Sequence, residues 1–176
     1  MEVLLVGDSL GMVVLGYDST LPVTLDEMLH HVRAVRRGTK RALLVADMPY
    51  GSFHVSTDES IRNAMRLIKE GGAEAVKIEG GERRLELISR LVEAEIPVMG
   101  HVGLTPQSIN ALGGFHVQGK TVDAAKQLER DAKAVEDVYK RQAYVFAPSN
   151  HQINRCRSHT VFVSGNKSSL LSLIHI

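Results

Sequence analysis

Three short apolar runs in this 176-residue chain each end in an acidic residue: Val3-Leu-Leu-Val-Gly-Asp8, Leu43-Leu-Val-Ala-Asp47 and Ala75-Val-Lys-Ile-Glu79. Each has the length and branched character of a strand buried on both faces, the kind found in parallel sheets. An acid at the carboxyl end of such a strand lies where an α/β barrel builds its active site. Three acids delivered in this way can converge on one hard divalent cation. The feature therefore constrains both the fold and the chemistry.

Between these runs lie segments with helical spacing. Thr24 followed by Glu27 is a capping box, and Leu25, Met28, Leu29, Val32 and Val35 form one apolar face of a helix ending near Gly38. Ser56 or Thr57 caps a second helix over about 58–70, stopped by Gly71-Gly72, and a third covers roughly 82–94. Residues 96–100 read as a fourth strand ending at His101, and Thr105-Pro106 opens a short helix by the N-cap and N1 rule. Residues 110–119 read as loop and 121–140 as a polar helix. Strand and helix thus alternate four times, which predicts a parallel sheet with helices outside. A complete (β/α)8 barrel needs about 250 residues, so the length suits an open doubly wound sheet. The acids on three separate strands suit a barrel, and the expectation is a partial barrel.

Composition narrows the function. The net charge is +1, but residues 1–140 hold 17 basic against 20 acidic residues, a net of −3. Residues 141–176 carry +4 and no acid. A slightly acidic body gives no reason to expect nucleic acid as a partner. No run is long enough to span a bilayer. One cysteine, Cys156, permits neither an internal disulfide nor a cysteine metal cluster, and a reducing, cytoplasmic compartment is expected. The segment after residue 140 loses periodicity and gains Ser, Asn and His. It reads either as a loop-rich tail or as an end foreign to the fold, from a frameshift or a chimera.

The candidate site follows from strand ends. Asp8, Asp47 and Glu79 are either caps for the helices that follow or ligands of one cation, and an all-carboxylate set suits Mg²⁺ over Zn²⁺. Lys77 shares a strand face with Glu79 and needs a partner when buried, either Glu79 or a substrate carboxylate. Ser9 can offer a hydroxyl and an N–H to an anion in the turn. His101 sits at the rim, as a structural or a reactive group. His30 and His31 read as packing or surface residues, and His151, His159 and His175 are given no role. Gly113-Gly114 lacks the context of a dinucleotide loop, and there is no phosphate-binding Gly-Lys-Ser/Thr.

The stretches VGDSLGMVVLGYDSTLPVT, LLVADMPYGSF, AVKIEGG and VMGHVGLTPQSINALGGFHVQGK resemble ketopantoate hydroxymethyltransferases over about residues 3–140, in family order. The resemblance implies a (β/α)8 barrel, assembled as a homo-oligomer that is decameric when whole. It implies transfer of a hydroxymethyl group from 5,10-methylenetetrahydrofolate to 3-methyl-2-oxobutanoate through a Mg²⁺-stabilised enolate, giving 2-dehydropantoate in pantothenate biosynthesis. Under it, Asp8 and Asp47 ligate Mg²⁺ with Glu79 completing the site through water, Asp8, Ser9, Asp47 and Lys77 hold the 2-oxo acid, and His101 lies close by. The family's first strand would precede Met1. Its general-base glutamate would follow Lys140, where the likeness stops, so no catalytic base is assigned, and residues 1–140 are expected to form a partial catalytic domain inactive alone. Two other readings compete: a Mg²⁺-dependent 2-oxo acid barrel of the phosphoenolpyruvate mutase and isocitrate lyase group, and a truncated, non-enzymatic binding module.

Overall fold

A computed structural model describes residues 3–112, 121–140 and 162–163. Four strands run in parallel: β1 (Val3–Val6), β2 (Leu43–Asp47), β3 (Ala75–Glu79) and β4 (Val98–Val102). They lie side by side in chain order, with a two-residue strand β5 (Phe162–Val163) parallel to β4 at the edge. Sequential order with a helix in each crossover is the pattern of a right-handed β/α succession. The parallel α/β architecture expected from the sequence is present, and its four strands are consistent with part of a barrel.

The helices are α1 (Leu10–Val13), α2 (Leu25–Gly38), α3 (Thr57–Lys69), α4 (Leu85–Glu93), α5 (Ile109–Leu112) and α6 (Val122–Lys140). The capping box of α2 forms as read: the Thr24 side chain accepts from the Glu27 N–H, and Glu27 reaches back to the Thr24 N–H. Of the two candidate caps for α3, Ser56 accepts from the Glu59 N–H. Three boundaries differ from expectation. The turn expected around Ser9 gives way at Leu10 to the short helix α1. Residues after Pro106 form a 3-10 turn before α5, so part of the expected loop at 110–119 is helical and the rest lies outside the described residues. β4 begins two residues late, which places His101 inside the strand, because Ile96 and Pro97 close the turn out of α4 through the bond from Ile96 N–H to Leu91 C=O.

The two faces of the sheet differ in kind. Leu44, Ala46, Val76, Ile78, Val98 and Val102 face α2, α3, α4 and α6, together with Met28, Leu29, Val32, Leu67, Ile88 and Leu91, all buried. Gly100 lets α6 approach closely, since a Cβ there would fall 2.5 Å from Val135 Cγ1. The opposite face has only a small apolar cluster of Leu5, Val45 and Ala75 with Val3 and Met99. In a barrel this second face is the interior. The strand alternation that sends Val45 and Ala75 there sends Asp47, Lys77, Glu79 and His101 there too. Among the described residues no helix is long and apolar enough to cross a membrane.

Candidate active site

Parallel register assembles the site. Asp47 stands opposite Lys77, and Glu79 opposite His101, as cross-strand partners. In-register neighbours on one face bring their side chains together. Lys77 Nζ accordingly donates to Asp47 Oδ2 at 2.5 Å, and His101 Nδ1 lies 3.2 Å from Glu79 Oε1. Of the two partners open to Lys77 on the sequence, Glu79 is not the one found within the chain. Lys77 pairs across strands with Asp47, because Glu79 is turned to His101.

Asp8 follows β1 in the turn before α1. Its N–H donates to Asp47 Oδ2 at 3.3 Å. Ser9 occupies the N-cap position of α1, with its hydroxyl buried and without a partner. From the segment after β4, the Gln107 side chain donates to Asp8 Oδ2 at 2.8 Å and to the Met48 carbonyl at 2.9 Å, and its N–H donates to Glu79 Oε2 at 3.0 Å. Gly80, at φ +122°, and Gly81 turn the chain away from Glu79. Asp131 of α6 packs so close to Gly81 that a Cβ there would overlap it.

The charges do not balance. Asp8, Asp47 and Glu79 are buried around one ammonium, that of Lys77. Burial, then the neighbouring Asp47, raises the Asp8 carboxyl to about 8, against opposing pulls from Lys77 and Gln107. Burial also raises Asp47, although Lys77 works against the shift. For Lys77, burial disfavours the charge, but the carboxylates of Asp47, Asp8 and Glu79 outweigh it and hold the ammonium above its ordinary range. A site with surplus buried carboxylate is one a cation would relieve.

Asp47 Oδ1 is the open oxygen: it is buried with no hydrogen-bond partner. A bare carboxylate oxygen in such a place is costly and fits a hard cation. Both oxygens of Glu79 are engaged, with His101 and the Gln107 N–H. Among the described residues no three His, Cys, Asp or Glu side chains close into a ready-made cage. The fit therefore rests on Asp8 and Asp47 and on their donor chemistry. A separate cavity of about 320 Å³ opens past the ends of β3 and β4, lined by Gly80, Gly81, Arg83, Gly103, Thr105 and Asp131 among others. It does not include Asp8, Asp47 or Lys77.

The strand-end acids, Lys77, Ser9 and His101 were all legible in the sequence, and the fold brings them to one sheet edge. Gln107 was missed. A glutamine after Thr-Pro carries no chemical signal of its own, and its bonds span 99 residues.

The chain is 64% identical over 135 residues to a 3-methyl-2-oxobutanoate hydroxymethyltransferase of Koribacter versatilis (strain Ellin345), covering 77% of this chain and 46% of that protein. It is 65% identical over 136 residues to the protein of that name from Carboxydothermus hydrogenoformans, covering 77% and 49%. The corresponding figures for Heliobacterium modesticaldum are 64% over 135 residues, 77% and 49%. The chain thus spans about half the length of the curated relatives it matches. The likeness selects one barrel family over the phosphoenolpyruvate mutase and isocitrate lyase group. With the family model for ketopantoate hydroxymethyltransferase matching residues 1–139, the strand-end acids stand in a recognised sequence frame, and the chain belongs to the ketopantoate hydroxymethyltransferase family of transferases.

Proposed function

We propose that this chain carries the metal-binding and 2-oxo-acid-binding part of an enzyme that moves a hydroxymethyl group from 5,10-methylenetetrahydrofolate to 3-methyl-2-oxobutanoate, giving 2-dehydropantoate for pantothenate biosynthesis. The observation that carries the reading is Asp47. It ends β2 wholly buried, with one oxygen on Lys77 and the other without a partner. The names of the relatives support the reaction.

In this reading Asp8 and Asp47 hold Mg²⁺, and Glu79 completes the site through water. Mg²⁺ bound there supplies Lewis acidity toward the keto oxygen and carboxylate of the 2-oxo acid. Lys77 keeps a fixed positive charge beside Asp47, where negative charge gathers on the acid as its C3 proton leaves. That charge is set in place by the β2–β3 register, so it costs no reorganisation. Ser9, whose hydroxyl has no partner, offers a donor to the substrate carboxylate. His101 bears on Glu79 and steadies it. The acids bind and do not abstract the proton. The resemblance gives that task to a glutamate on a later strand, and residues 141–176 supply no acid for it. A homo-oligomeric, decameric assembly and a cytoplasmic setting belong to the same reading and rest on the resemblance.

The test is calorimetric titration of Mg²⁺ with 3-methyl-2-oxobutanoate into the 176-residue chain, with Asp47→Ala as control and circular dichroism to show both folded. Heat from the parent chain that vanishes in Asp47→Ala is the expected result. A folded parent chain that takes up neither compound overturns the reading.

A further inference from the structure

Gln107 is 4% exposed, a buried amide at the start of the segment that follows β4. Its Nε2 has two partners, Asp8 Oδ2 and the Met48 carbonyl, and both are acceptors. The amide orientation is therefore set by chemistry: only the NH₂ end satisfies both. Its backbone N–H holds Glu79 Oε2. One residue from beyond β4 thus ties the carboxylate after β1, the chain just after β2 and the carboxylate that ends β3.

We infer that Gln107 is a positioning residue of this site, holding Asp8 Oδ2 so that the other oxygen of Asp8 turns toward the cation and the 2-oxo acid, while its N–H anchors Glu79. The inference deepens the proposed function and rests on its reading of Asp8 as a metal ligand. A second observation separates positioning from mere filling. Gln107 Oε1 is itself buried without a partner. A buried polar atom left unpaired works against folding, and a methionine would fill the same volume without one. A glutamine retained there is explained by what its NH₂ does for Asp8. Outer groups that orient ligands in this way typically change metal affinity by about 10–100-fold when removed.

The test compares the parent chain with Gln107→Met, which keeps the volume and removes the two side-chain bonds. Mg²⁺ is titrated into each by calorimetry, and the thermal transition of each is recorded. The expected result is Mg²⁺ affinity weaker by about 10–100-fold, with a cooperative transition retained and with 2-oxo acid binding recovered at saturating Mg²⁺. A role in packing alone would lower the transition and leave the Mg²⁺ affinity of the folded chain unchanged, which overturns the inference while leaving Asp47 as a ligand. A parent chain that binds no Mg²⁺ overturns the proposed function, and this inference with it. Should Gln107→Met not fold, the parent chain still decides by nuclear magnetic resonance. Mg²⁺ should shift the side-chain amide signals of Gln107 and spare those of Asn63, which donates to the Ser52 carbonyl. A Gln107 signal unmoved by saturating Mg²⁺ overturns it.

Discussion

Two sets of charges in this molecule obey different rules. On the outer layer, where α2 meets α3, Arg33 pairs with Glu70, and Arg66 pairs with both Asp26 and Glu70. These groups are exposed, roughly balanced in sign, and free to exchange partners with water. At the carboxyl edge of the sheet, Asp8, Asp47 and Glu79 share Lys77 out of solvent. The outer set is cheap to build and easy to lose. The inner set is expensive, because three acids and one ammonium gave up their hydration and the acids cannot all ionise around a single counter-charge. The contrast separates a solvated surface from the sheet edge that holds the candidate site.

The largest break in that contrast comes from Lys77→Met. It leaves the Asp47 carboxylate buried with no counter-charge and should cost about 3–5 kcal/mol in urea unfolding. Added Mg²⁺ should return part of the loss, and a variant that also carries Asp47→Leu should be more stable than Lys77→Met alone. An unchanged unfolding midpoint in Lys77→Met would show that the pair is not desolvated.

Per pH unit, a smaller effect follows from Asp8. Its carboxyl is raised in the folded chain to about 8 by burial and by Asp47, above its unfolded value of about 3.9. A raised group binds its proton more tightly when folded. Its contribution to stability is therefore complete below about pH 4 and is lost as pH climbs toward 8. The metal-free chain should lose up to ~1.4 kcal/mol per pH unit from this group across that window. Asp8→Asn should flatten the dependence, and so should saturating Mg²⁺. A flat profile in the parent chain, from melting curves between pH 5 and 9, would sink the assignment.

The smallest effect belongs to the outer set. Arg66→Ala should leave the unfolding midpoint close to the parent value and should blunt its dependence on salt, since screening acts on exposed pairs. A large loss would mean that the α2–α3 network is a structural core of charge and not a solvated face.

Much of the fold could be read ahead of the structure because its signals are local. The run from Leu44 to Asp47 is buried throughout, as its apolar character predicts, with only Leu43 ahead of it exposed. Thr24 and Glu27 satisfy each other's N–H groups within four residues, so α2 begins at the expected place. Local signals failed where a partner was distant. The start of β4 depended on how the turn from α4 closes, through Ile96 N–H on Leu91 C=O, and nothing in Ile-Pro-Val marks that. Alternation placed Lys77 and Glu79 on one face, but the carboxylate that Lys77 would choose depended on how far β2 slides against β3. Gln107 lay outside the reading altogether, since a neutral amide acquires a role only from what it touches.

The sequence by itself determined the β/α succession, the side chains that share a strand face, and the delivery of three acids to strand ends. Periodicity, branching and capping act over a few residues and need no partner. The tertiary structure decided the pairings: Lys77 with Asp47, His101 with Glu79, and Gln107 across Asp8, Met48 and Glu79. The physical reason is register. In a parallel sheet the neighbour of a side chain is set by the crossover between two strands, so residues 22 and 30 positions apart become neighbours only when the strands align, and Gln107 reaches Asp8, 99 positions away, only once the turn after β4 packs on them.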